Sequence, residues 1–234
     1  MTKAAFLLLT IIMASFAWYG TGTTASRTLA PGKAKRIRII MLLSLTGWLA
    51  YVSAISLAGI LQTASLPPRI PLLLILPLFS FMFWFVSRKR SQAFITAIPA
   101  AWLVYAQSFR IVVELLLHAL YKQGMLPRMG TFEGYNFEIV IGITALLVGY
   151  LGYSRKVLPR SILLLWNCAG LLTLAIVVFI FVSHAYAPGI YAHPEPLSIT
   201  DFGAFPFTLL AGFLMPLAVF MHVLSIRKLL HTPA

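Results

Sequence analysis

The feature that most constrains this chain is a series of long runs that are apolar on every side, separated by short breaks rich in arginine, lysine and proline. A soluble helix keeps one polar face, whereas a run that is apolar all round needs lipid or other apolar helices on its whole surface. With 60% hydrophobic and only 10% charged residues in 234 positions, the composition is that of a membrane protein. In hydrocarbon every backbone amide must be paired within its own segment, so the runs are read as helices. The chain is expected to be all-α, a single domain covering residues 1–234 and built as a bundle of seven transmembrane helices.

The expected spans are about 4–20, 39–61, 70–87, 94–121, 138–154, 162–183 and 206–226, with outer loops at 122–137 and 184–205. Basic residues set the orientation. Arg27, Lys33, Lys35, Arg36 and Arg38 fill the first break, and Arg88, Lys89 and Arg90 the third. Arg155, Lys156 and Arg160 fill the fifth, and Arg227 and Lys228 follow the last span. None of these breaks holds an acid, so they belong in the cytoplasm, with the N-terminus outside and the C-terminus inside. A cleaved signal in the first run is disfavoured, because it would leave the most basic loop outside. The five acidic residues, Glu114, Glu133, Glu138, Glu195 and Asp201, fall outside or within a span. The net charge of +13 is thus a matter of topology and of anionic lipid headgroups, and no nucleic-acid motif accompanies it.

The fourth run, kinked at Pro99, carries Gln107, Arg110, Glu114 and His118 at spacings that stack them on one helical face. A charge in hydrocarbon costs about 2.5–3.5 kcal/mol, so such a stripe needs a partner, a cavity or a role. It is read as an outward-facing polar pocket. Arg110 would clamp a small polar or anionic molecule, and Glu114 would serve as counter-ion or proton acceptor. The competing account is a structural clamp in which the two neutralise each other. The following loop adds Glu133 and Asn136 as pocket residues, although Asn136 also suits a cap for the fifth helix and Glu138 suits its first turn. Outer groups His118, His184, His193 and Glu195 are the metal candidates, without ligand spacing in their favour, and Asp201 is a further possible wall. No nucleotide loop, serine-nucleophile elbow or intramembrane lysine is present, the lone Cys168 excludes a disulfide framework, and no cofactor is identified.

The pattern Gln-x-Phe-Arg-x-x-x-Glu at 107–114, followed by Thr-Phe-Glu-Gly-x-Asn-Phe-Glu at 131–138, resembles an uncharacterised family of small bacterial multi-spanning membrane proteins. The resemblance covers about residues 107–138 and implies a multi-pass protein of the inner membrane, with no activity attached. Three functions remain in view. The first is binding or transport of a small polar molecule, an anion or protons. The second is a membrane-embedded enzyme, with or without a metal, for a lipid or lipid-linked substrate, with Glu133 or Glu114 as base. The third is a non-catalytic assembly or sensing subunit.

Overall fold

Apolar all-round runs give helices throughout: a computed structural model describes residues 1–193, 195 and 197–231, and no strand occurs among them. Helices α1 (Thr2–Thr28) and α2 (Pro31–Leu57) form an antiparallel hairpin, with Pro31 at the first helical position, where a missing N–H costs nothing. α1 runs past its expected end near residue 20. Thr23, Thr24, Ser26 and Thr28 donate to carbonyls one turn back, so their hydroxyls are satisfied within the helix. The next segment is a π-turn at Pro71–Ile75 leading into α3 (Leu76–Ser87).

One expected boundary is corrected. The run at 94–121 is not a single helix: residues 94–97 end α4 (Lys89–Ala97), which lies 92° from the Pro71–Ser87 segment. Ile98 is extended at φ −62°, ψ 130°, and α5 (Ala100–Tyr105) starts only after Pro99. A proline ring clashes with the residue before it in the α-conformation, so Pro99 breaks the helix where a kink was expected. A 3₁₀ turn at Ala106–Ser108 joins α5 to α6 (Phe109–Lys122), and the three make one segment, Ala100–Lys122.

The remaining elements are α7 (Glu138–Gly149) with a π-turn to Ser154, α8 (Arg160–Tyr186), the short α9 (Ile199–Phe202) and α10 (Met215–His231) behind a π-turn at Leu210–Leu214. Five helical segments among the described residues are long and apolar enough to cross a membrane: Thr2–Thr28, Pro31–Leu57, Ala100–Lys122, Arg160–Tyr186 and Leu210–His231. A sixth is present if Pro71–Ser87 and Lys89–Ala97 count as one broken span, and Glu138–Ser154 is a shorter apolar helix. The protein is therefore an all-helical, multi-pass membrane protein.

α6 and α10 occupy the centre. Leu117, Leu120, Leu214 and Ala218 are almost fully buried there, against Phe6 of α1 and Leu174 of α8. α2 instead exposes Ile39, Ile40, Leu42 and Leu43, a surface suited to lipid. At one end of the bundle Lys228 Nζ donates to the carbonyls of Thr96 and Ile98, and at the other Gln123 Nε2 donates to Thr2 Oγ1 at 3.2 Å.

Two glycines allow the central helices to approach. A Cβ on Gly170 of α8 would overlap the His222 ring of α10, and one on Gly142 of α7 would stand 2.9 Å from the Ile111 backbone nitrogen. Neither neighbour is the free end of a flexible chain. Gly170→Ala is expected to destabilise the protein by about 1–3 kcal/mol, as overpacking does. Gly47→Ala, mid-helix in α2 with nothing within 4 Å, should instead stabilise by up to about 1 kcal/mol. Thermal unfolding of both variants in the same detergent measures the difference.

Candidate functional site

Arg110 is 1% exposed and is held by three other helices. Its Nη1 donates to His222 Nε2 of α10 at 3.1 Å, and its Nη2 to Thr173 Oγ1 of α8 at 2.7 Å. Its Nε lies 3.4 Å from Glu138 Oε2 of α7 and has no hydrogen-bond acceptor. A guanidinium only donates, so His222 Nε2 presents its lone pair and His222 Nδ1 carries the hydrogen, which goes to Asn167 Oδ1 at 3.0 Å. Asn167 Nδ2 then donates to the Leu163 carbonyl at 2.7 Å, so each link follows from the one before. Gln107, in the 3₁₀ turn below, donates to the Ala218 carbonyl at 3.0 Å.

The expected pairing of Arg110 with Glu114 is replaced by two others. The carboxylate beside Arg110 is Glu138, placed outside on sequence grounds but only 5% exposed. Glu114 instead accepts from Asn136 Nδ2, and its Oε2 has no hydrogen-bond partner. Arginine four residues before glutamate is the weaker intrahelical order, so partners on other elements prevail. Asn136 also donates to the Gly130 carbonyl at 3.1 Å and accepts from the Glu138 backbone N–H at 3.0 Å. It thereby ties the loop 123–137 to α6 and to the start of α7.

His118 and Glu133 form a separate cluster at the C-terminal end of α6. Glu133 Oε1 lies 2.7 Å from His118 Nε2 and 3.6 Å from Lys122 Nζ, and its Oε2 is 3.9 Å from Arg128. The hydrogen bond from His118, aided by the charges of Lys122 and Arg128, holds the Glu133 carboxyl below the usual carboxylate range. The other metal candidates are dispersed. His184 Nδ1 donates to the Ile180 carbonyl at 2.8 Å and its ring stacks on Tyr191. Glu195 accepts from the Arg128 amide, His193 is exposed, and Asp201 pairs with Ser198 in capping α9. Among the described residues no three His, Cys, Asp or Glu side chains are grouped as metal ligands would be.

Beside Arg110 lies a narrow cavity of about 80 Å³, partly open to the surroundings. It runs between α6, α8, α10 and the Pro71–Ile75 turn, under Leu197, Ile199 and Phe202. Among the described residues its only polar lining groups are Arg110, Glu138 and Tyr186. Arg110 bonds Thr173, next to lining residue Leu174, so the charged pair marks the mid-bundle end. Tyr186 ends α8, about 18 Å further along at 1.5 Å per residue, and its buried hydroxyl has no hydrogen-bond partner. Of the residues singled out from sequence, Arg110 lines this cavity, whereas Gln107, Glu114, His118, Glu133 and Asn136 do not. Glu138, read only as a first-turn residue of the fifth helix, and Thr173, Asn167 and His222 were not expected in the site. The polar residue types inside spans are their only trace in the sequence.

No family model, curated protein or solved structure matches the chain.

Asn136→Ala removes the donor to a buried carboxylate and is expected to cost about 1–3 kcal/mol of stability, whereas Glu133→Ala at the surface should cost far less; unfolding in detergent separates them. The Glu133 carboxyl is lowered in the folded state, so its contribution is complete above its unfolded value near about 4.3 and is lost as pH falls through the lower folded value. Hydrogen exchange at 131–134, once corrected for intrinsic rates, should therefore accelerate as pH falls below about pH 4.

Proposed function

We propose that this is a seven-span protein of a bacterial inner membrane, as the resemblance over 107–138 suggests, with its N-terminus outside and its C-terminus in the cytoplasm. The count adds Pro71–Ser87 and Glu138–Ser154 to the five long segments. Each is about 25 Å long, slightly under the thickness of the hydrocarbon core. Support for the orientation comes from the acid-free basic breaks and from Lys228 meeting the α4–α5 junction at one end. The test uses single cysteines at two open glycines, Gly32 and Gly189, in a Cys168→Ala background. A membrane-impermeant maleimide should label Gly189→Cys in intact cells and Gly32→Cys only after permeabilisation, and the opposite pattern inverts the topology.

We further propose that the cavity binds a lipid-like amphiphile, its apolar body along α8 and its polar end at Arg110 and Glu138. The observation that carries this is the lining: apolar throughout except for Arg110 and Glu138 at one end and Tyr186 at the other. A small hydrophilic solute would be stripped of water along such walls without compensation, whereas an amphiphile gains about 25 cal/mol for each Å² of apolar surface it buries. This favours a lipid-class occupant over the free small anion expected from Arg110 and Glu114 alone. Native mass spectrometry of the purified protein should retain a lipid-like molecule. Ala211→Phe, which fills the cavity, and Arg110→Gln, which removes its charge, should each weaken retention by about tenfold or more while the fold persists. Retention unchanged in both variants sinks the site. Turnover of the retained molecule would make the protein an enzyme, and retention without turnover a carrier or sensor.

A further inference from the structure

Resting on the amphiphile reading, we propose that the polar end of the occupant is an uncharged carbonyl, such as an ester or a ketone, and not a carboxylate or phosphate. Three observations carry this. First, Arg110 has no net positive charge to offer: one guanidinium faces Glu138 at 3.4 Å, with the Glu114 carboxyl nearby on the same helix. His222 adds none, because the nitrogen turned to Arg110 carries a lone pair. An anion brought to Arg110 would also meet the Glu138 carboxylate, a lining residue of the same cavity.

Second, donors are left over. Arg110 brings five N–H groups: Nη1 and Nη2 each use one on protein partners and Nε has only the Glu138 carboxylate at 3.4 Å, which leaves one N–H on each Nη. What a buried guanidinium in this state lacks is an acceptor, and a carbonyl oxygen supplies one without adding charge. Third, the far end of the cavity holds the unpartnered hydroxyl of Tyr186, a donor that is likewise neutral. Both polar ends of an otherwise apolar cavity thus ask for uncharged acceptors, about 18 Å apart along α8.

The test compares two probes with the same chain, palmitate and methyl palmitate, binding the purified full-length protein in detergent near neutral pH, with radiolabelled probe retained on the protein as the readout. Wild-type protein is expected to bind methyl palmitate about tenfold or more tighter than palmitate, since like charges brought together cost that much or more. Glu138→Gln, which removes the competing carboxylate and keeps the side chain's size, should reverse the preference in favour of palmitate. Equal binding of the two probes by wild-type protein, or a preference for palmitate, overturns the inference and leaves the amphiphile reading standing. Binding of neither probe, in protein whose thermal unfolding is cooperative, overturns both. The wild-type comparison decides even if Glu138→Gln fails to fold. Should the variant fold and still prefer methyl palmitate, Glu138 is not the excluding group and the inference also fails.

Discussion

A guanidinium buried among helices is the constraint on which the centre of this protein depends. Arg110 is 1% exposed, and an unpaired charge in that position would cost several kcal/mol. Its compensation comes from three separate helices: Thr173 on α8, His222 on α10 and Glu138 on α7. α6 is therefore held in register with each of them at once, and the helices approach closely enough only because Gly170 and Gly142 leave room. Arg110, His222 and Asn167 form a directional chain, because His222 Nε2 must accept from Arg110 and Nδ1 must then donate to Asn167, so the polar centre is as specific as the packing around it.

The loop between α6 and α7 follows from the same need. Glu138 opens a short helix, and to bring its carboxylate to Arg110 that helix begins within the bundle. While Phe132, Glu133, Tyr135 and Phe137 stay exposed, the chain before it dips inward at Gly130, Thr131 and Asn136, whose buried polar groups the protein itself must satisfy. Asn136 does this, bonding Glu114, the Gly130 carbonyl and the Glu138 amide together. Glu114, half of the expected functional pair, serves in this way as an anchor for the loop. His118 and Glu133 are displaced to a solvent-facing cluster with Lys122 and Arg128.

The cavity takes its character from this division of labour. Because Glu114, Asn136 and Gln107 are engaged elsewhere, the walls beside Arg110 are left to Val113, Leu174, Leu214 and similar side chains. The result is an apolar chamber with a neutralised charged pair at its end, a different object from a polar shaft. On the proposed reading it is this neutralisation, more than the presence of arginine, that selects the occupant.

Much of this protein was legible in the sequence. Runs apolar on every side leave helices as the only way to pair the backbone in lipid, so the all-helical, multi-pass architecture follows from the residues alone. The same is true of Arg110 as a buried centre, because nothing in membrane topology accounts for an arginine inside a span. Its partners were not legible. The 3.6-residue period reports which residues share a helical face, and so put Glu114 next to Arg110. Whether Glu138, Thr173 or His222 comes within hydrogen-bond reach depends on how separate helices pack, with no spacing along the chain to record it. The break at Pro99 was visible as a proline, but whether it kinks or ends a helix is decided by the contacts available to α4. What only the tertiary structure decided is therefore the pairing of charges and the apolar lining of the cavity, because both are set by side chains that converge from distant parts of the chain.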